Sequence, residues 1–104
     1  MADLPEMHKN VLSLIGFGKE RATTSSYISK LTGLNDVDVR SIISELNTKY
    51  RILIGSGLTG FYYVTNEDER RECLLNLRGR AAKINYRADV MELSPLVNPE
   101  NFIF

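Results

Sequence analysis

Residues 33–64, GLNDVDVRSIISELNTKYRILIGSGLTGFYYV, decide how this chain folds. Asn35 is a good helix N-cap, and Asp38 three residues later suits the positive end of the helix dipole. At about 100° per residue, Val39, Ile42, Ile43, Leu46 and Tyr50 share one face and are predicted to be core. Val37, Ser41, Ser44 and Thr48 fall opposite, flanked by Arg40 and Glu45, and form a solvent-facing strip. Residues 52–54 are predicted to be a strand, 55–60 its turn with three glycines, and 61–64 the returning strand, rich in aromatic and β-branched residues. On that strand Phe61 and Tyr63 face one way, Tyr62 and Val64 the other, with the tyrosines read as core. Gly57 and Gly60 are assigned the unusual backbone angles of a tight turn. A hairpin this small must lie on the helices to be stable.

Upstream, Leu4, Met7, Val11 and Leu14 recur at helical steps, predicting a first helix over residues 5–17, with Pro5 in its first turn and Gly16 and Gly18 at its end. Residues 22–24 read as a short β segment. Ser25 or Ser26 is then the expected cap of a brief second helix that turns Tyr27, Ile28 and Leu31 inward, and Gly33 is expected to end it in the left-handed conformation. Downstream, Thr65 or Asn66 can cap a last helix with an acidic first turn, Glu67, Asp68 and Glu69. Along it Leu74, Leu77, Ala81, Ile84, Ala88 and Met91 repeat at steps of three and four, a heptad stripe that can form a dimer seam or pack on its own domain. Gly79 interrupts this helix at a cost of about 1 kcal/mol against alanine. The tail, residues 96–104, LVNPENFIF, ends on three large apolar residues that can dock in another protein's groove or fold back over the core.

A chain of 104 residues fits a single core, and its 43% hydrophobic and 25% charged residues are an ordinary globular mixture. No apolar run reaches the length of a membrane span and the N-terminus is unlike a signal peptide, so a cytoplasmic protein with no membrane partner is expected. Cys73 is the only cysteine, read as a buried structural thiol, and His8 the only histidine. No metal cluster, nucleotide loop or nucleophile elbow is present, and no titratable pair has the arrangement that acid–base or nucleophilic chemistry needs. The chain is therefore expected to be no enzyme, with no catalytic residue, metal or cofactor. Thirteen cations balance thirteen acids overall, but residues 70–87 hold six cations against Glu72 alone.

Three helices, a tight second turn and a two-stranded wing, in this order, resemble a winged helix-turn-helix domain. The run VRSIISELNTKYRILIGSGLTGFYYVTNEDE, followed by a helix containing LRGRAAKI, is similar to a group of small phage-type winged-helix proteins of low-GC Gram-positive hosts. In these a recognition helix leads into a wing of the form I-x-S-x-x-x-G with paired tyrosines, then a long terminal helix. The resemblance runs from about Ser25 to Ala88 and is carried mostly by Ile42, Leu46, Ile54, Gly60, Tyr62 and Tyr63. The fold expected is α+β, mostly helical: a winged helix-turn-helix over residues 1–66 with three helices and a two- to three-stranded wing, a long helix over 67–94 as a dimerisation element, and an apolar tail over 95–104.

The resemblance implies a phage or prophage protein that binds double-stranded DNA in replication or transcription control, its third helix in the major groove and its wing near a phosphate backbone. By position, Val37, Arg40, Ser41, Ser44 and Thr48 would face bases, and Ser26, Lys30, Ser56 and Thr59 the backbone. Hydroxyls read base edges and Val37 can touch a thymine methyl. Against this, Asp36 and Asp38 open the recognition helix with charges that repel phosphate, and the wing GSGLTG has no Lys or Arg. Those departures and the zero net charge motivate the alternative, a protein–protein interaction module that binds a host or phage replication or transcription factor.

Overall fold

The computed structural model describes residues 3–101. Among these, the chain is α+β and mostly helical, with four α-helices and a small three-stranded sheet compatible with a winged-helix-like arrangement. Its contacts divide it into two compact units, Met1–Cys73 and Leu74–Phe104.

In the first unit, α1 (Glu6–Ser13), α2 (Ser25–Thr32) and α3 (Asp36–Thr48) pack around Val11, Ile15, Ile28, Val39, Ile43 and Leu46. The inward face of α3 is as expected: Val39, Ile43 and Leu46 are buried, and Ile42 and Tyr50 pack half-buried against them. Its N-cap is Asn35, whose side-chain oxygen accepts from the Asp38 N–H at 2.8 Å, and Gly33 closes α2 with φ 76°. Buried His8 joins α1 to α3 through Nε2 and the Glu45 carboxylate, 2.6 Å apart.

Several expectations change. The first helix stops at Ser13, because the Ser13 hydroxyl turns back to the Asn10 carbonyl and the Leu14 carbonyl accepts from the Thr23 hydroxyl. Gly16–Phe17 is instead a strand, β1. The cap of α2 is Thr24, whose hydroxyl accepts from the Tyr27 N–H, since the Ser25 hydroxyl is committed to Asp36. Nor do Tyr27 and Leu31 turn inward; they are 49% and 54% exposed. Ile28 alone is buried, flanked by half-buried Ser29 and Thr32, whose hydroxyls donate to the Leu34 and Ile28 carbonyls. Small hydroxyls satisfied by backbone let α2 approach its neighbours where larger side chains would hold it away. The last change is in the hairpin. Its strands are β2 (Ile54–Gly57) and β3 (Gly60–Tyr63), so Gly55 and Ser56 belong to a strand and only Leu58 and Thr59 lie in the turn.

Residues 52 and 53 are kept out of β2 by the end of α3. Arg51 takes a left-handed φ of 57°, the Ile52 N–H bonds back to the Leu46 carbonyl at 2.9 Å, and the Asn47 side chain accepts from the Ile54 N–H. The strand order is β1-β3-β2, with β1 parallel and β2 antiparallel to the central β3. Beside β1, Thr23 and Phe61 exchange two backbone hydrogen bonds of 2.8 Å, which fulfils the β segment expected over residues 22–24 as an isolated bridge. Of the two glycines expected to have unusual backbone angles, Gly60 has φ 119° and needs to be glycine, whereas Gly57, against expectation, has neither a positive φ nor a crowded Cβ position.

Both faces of β3 are covered. Phe61 and Tyr63 join the helical core, and the Tyr63 hydroxyl donates to the Leu12 carbonyl at 2.7 Å. Tyr62, 1% exposed, faces the other way, its hydroxyl 3.1 Å from the sulfur of buried Cys73 in the second turn of α4 (Glu67–Leu93). Gly55 is required there, since a Cβ would lie 2.6 Å from that sulfur. The start of α4 is fixed to the same unit. Asn66 caps it by accepting from the Glu69 N–H, and the Glu69 carboxylate accepts from the backbone N–H groups of Lys19 and Thr65, which hold it below the usual carboxylate range.

In the second unit, α4 continues unbroken through Gly79 to Leu93, and the stripe residues Leu74, Leu77, Ile84 and Met91 are all exposed. A second apolar set, Leu75, Tyr86, Val90 and Leu93, is exposed on the opposite side of the heptad. Among the described residues no helix is long and apolar enough to cross a membrane. A Cβ at Gly79 would meet nothing within 4 Å. Gly79→Ala is accordingly expected to stabilise the helix by up to about 1 kcal/mol, seen as increased helical circular dichroism on heating; reduced helicity would show that the glycine is needed. Leu96 and Val97 are exposed, and the expected docking or lid role of the tail falls largely on residues 102–104, outside the described residues.

Candidate nucleic-acid interface

The exposed side of α3 is built by the same periodicity that buries Val39, Ile43 and Leu46. Val37, Arg40, Ser41, Ser44 and Thr48 are all exposed, so among the described residues no other segment lies over the hydroxyl strip. The strip is not uniformly available: the Thr48 hydroxyl donates to the Ser44 carbonyl at 2.8 Å, while Ser41 and Ser44 make no side-chain hydrogen bond among the described residues. Of the residues expected to face a phosphate backbone, Ser26 and Lys30 are exposed on α2, Thr59 is exposed in the turn, and Ser56 is half-buried on β2.

Two of these positions, Arg40 and Ser56, meet at one place. They line a cleft of about 140 Å³ together with Thr24, Ser25, Leu58 and Phe61. Three separate elements thus converge: the start of α2, the outer face of α3 and the wing. The guanidinium carbon of Arg40 lies 5.8 Å from the centre of the Phe61 ring, within cation–π range. Its Nε donates to the Asp36 carboxylate at 2.8 Å, one turn earlier on α3, and the other Asp36 oxygen accepts from the Ser25 hydroxyl. The Ser25 hydroxyl and then the Arg40 guanidinium hold the Asp36 carboxyl below the usual carboxylate range.

Sequence reasoning missed Thr24, Ser25, Asp36 and Phe61 as parts of this place. The four-residue spacing of Asp36 and Arg40 is a signal visible in the sequence. The other contacts depend on how the turns fold α2 and the wing beside α3. Leu58 at the wing tip, fully exposed, is a further omission. Comparison with protein-family models, with curated proteins and with solved structures gave no match.

Chemically the cleft offers hydrogen-bond donors. Arg40 keeps its four Nη hydrogens without a partner among the described residues, and the backbone N–H groups of Ser25 and Ser26 are likewise unpaired at the start of α2. Such donors suit an oxyanion, and a fork of this kind matches a phosphate in two places.

Proposed function

We propose that this chain is a non-enzymatic winged helix-turn-helix protein of phage or prophage type that binds double-stranded DNA in replication or transcription control. The observation that carries the reading is the convergence of Arg40, Ser56 and the start of α2 on one cleft beside the exposed Ser41 and Ser44. In this reading α3 enters the major groove, with Val37, Ser41, Ser44 and Thr48 toward base edges, while Ser26, Lys30, Ser56 and Thr59 follow the backbone; Arg40, expected among the base-facing residues, is assigned to the backbone instead because it lines the cleft with Ser56 and the start of α2.

The reading takes the chain as a dimer. Lys30, Arg40, Lys49 and Arg51 supply about two to four phosphate contacts per copy, each adding about 0.9 to the slope of log affinity against log salt, which is few for a single copy and sufficient for two on paired half-sites. Two copies give a slope of about 4 to 7, comparable with specific binders. The stripe of Leu74, Leu77, Ala81, Ile84, Ala88 and Met91 is the proposed seam. In a parallel pair it would set Arg87 of one copy near Glu92 of the other, as flanking positions of a heptad do.

Mobility-shift titration with mixed duplexes over a salt series tests this. Affinity is expected to fall about a hundredfold or more between 50 and 200 mM salt, and Arg40→Ala to weaken it by about tenfold per half-site, with a smaller loss for Ser44→Ala. No retardation even at about 50 mM salt, where electrostatic binding is strongest, would remove the DNA reading. The alternative, a protein-binding module for a host or phage replication or transcription factor, is favoured by one observation, the apolar Leu58 at the tip of an uncharged wing.

A further inference from the structure

Asp36 occupies the first position of α3, where a negative charge is the feature least suited to a nearby phosphate. Helix capping does not account for the way its side chain is used. Asn35 already caps α3 through the Asp38 N–H, and Asp36 turns instead to Ser25 on α2 and to Arg40. One carboxylate oxygen goes to each partner, so the guanidinium is held through Nε alone. An ordinary exposed pair of this spacing does little for stability. Its effect is geometric: Nε is fixed from one side, the guanidinium lies over the face of the Phe61 ring, and the Nη edge remains at a cleft whose other donors are the start of α2 and the Ser56 hydroxyl. The Ser25 hydroxyl in turn fixes the carboxylate, tying the orientation of Arg40 to the spacing between α2 and α3.

We infer that Asp36 is a positioning residue for DNA, which with Ser25 clasps Arg40 through Nε so that its Nη edge is presented to one backbone phosphodiester in the cleft. The inference rests on the DNA-binding reading and adds to it a role for an acid that simple charge counting sets against binding. The two views of Asp36 require opposite results. If it only repels, its removal tightens binding; if it positions, its removal weakens binding although the site becomes more positive.

The experiment is equilibrium fluorescence anisotropy with a labelled duplex bound by the wild-type chain, measured over a salt series for Asp36→Ala, Ser25→Ala, Arg40→Lys and the double variant of Asp36→Ala with Arg40→Lys. Melting curves accompany each variant, and Ser25→Ala loosens the clasp without altering α3 should Asp36→Ala fail to fold. Expected are an affinity loss of about fivefold to tenfold in Asp36→Ala, a smaller loss in Ser25→Ala, and a salt slope lower by about 0.9 for each copy whose phosphate contact is lost. Arg40→Lys keeps the charge but not the fork, so Asp36→Ala added to it causes no further loss. Tighter or unchanged binding by Asp36→Ala, or losses that simply add in the double variant, would overturn the positioning role while leaving DNA binding intact. A wild-type chain that binds no duplex at about 50 mM salt overturns the DNA reading itself, and the inference with it.

Discussion

Replacing Gly60 by alanine is expected to destabilise the first compact unit by about 3 kcal/mol or more, as a left-handed strain and an overpacked contact act together. A Cβ at this position would lie 2.1 Å from the Thr23 carbonyl oxygen and 2.7 Å from the Thr24 nitrogen. Both neighbours are backbone, so neither can swing aside as the end of a side chain would. Moving Thr23 breaks its two hydrogen bonds with Phe61, and moving Thr24 disturbs the cap of α2. The φ of 119° adds its own penalty for any residue with a Cβ. Chemical denaturation followed by circular dichroism gives the number; a Gly60→Ala variant within about 1 kcal/mol of the wild type would show that the bridge beside the wing is dispensable. Gly57→Ala, by contrast, should change little, because its position is neither crowded nor strained.

Tyr62→Ala is the second substitution with a large expected effect, a loss of about 3 to 5 kcal/mol as for other large buried aromatic residues. A domain's whole stability is on the order of 5 to 15 kcal/mol, so this variant is near the limit of folding. Tyr62→Phe separates packing from the hydroxyl and is expected to lose only about 1 kcal/mol, the usual worth of one hydrogen bond. Burial first, and then the contact with Cys73, push the Tyr62 hydroxyl well above the usual tyrosine range. For an acid whose folded pKa is raised, the stabilisation is fully present below the unfolded pKa near 10 and is lost as pH rises toward the folded value. Wild-type protein should therefore weaken in alkali more steeply than Tyr62→Phe. Equal alkaline profiles for the two would place the sensitivity elsewhere.

Much of this arrangement was legible in the sequence because local chemistry and long-range packing agree in it. Asn35, Asn66 and Gly33 act as caps by short-range bonds, and the apolar period of α3 points the same way as its tertiary contacts. Where local and distant preferences part, the reading failed. Tyr27 and Leu31 look inward by hydrophobicity, yet Ser29 and Thr32 take the close approach because backbone carbonyls satisfy their hydroxyls. The short β1 was hidden by its length and by apolar residues that also continue a helical pattern; only its pairing with the last residues of β3 makes it a strand. The cleft is a third case. Arg40 and Ser56 could be nominated one at a time, but Asp36 acquires its partner on α2 only once the turn at Gly33 is folded.

β2 is one of the two edge strands of the sheet, and two of its four residues are glycines. Its free rim of amides is therefore brief and poorly shaped for recruiting a foreign strand, the usual route by which small sheets fuse into insoluble aggregates. A hairpin so built can stay open to solvent without becoming adhesive.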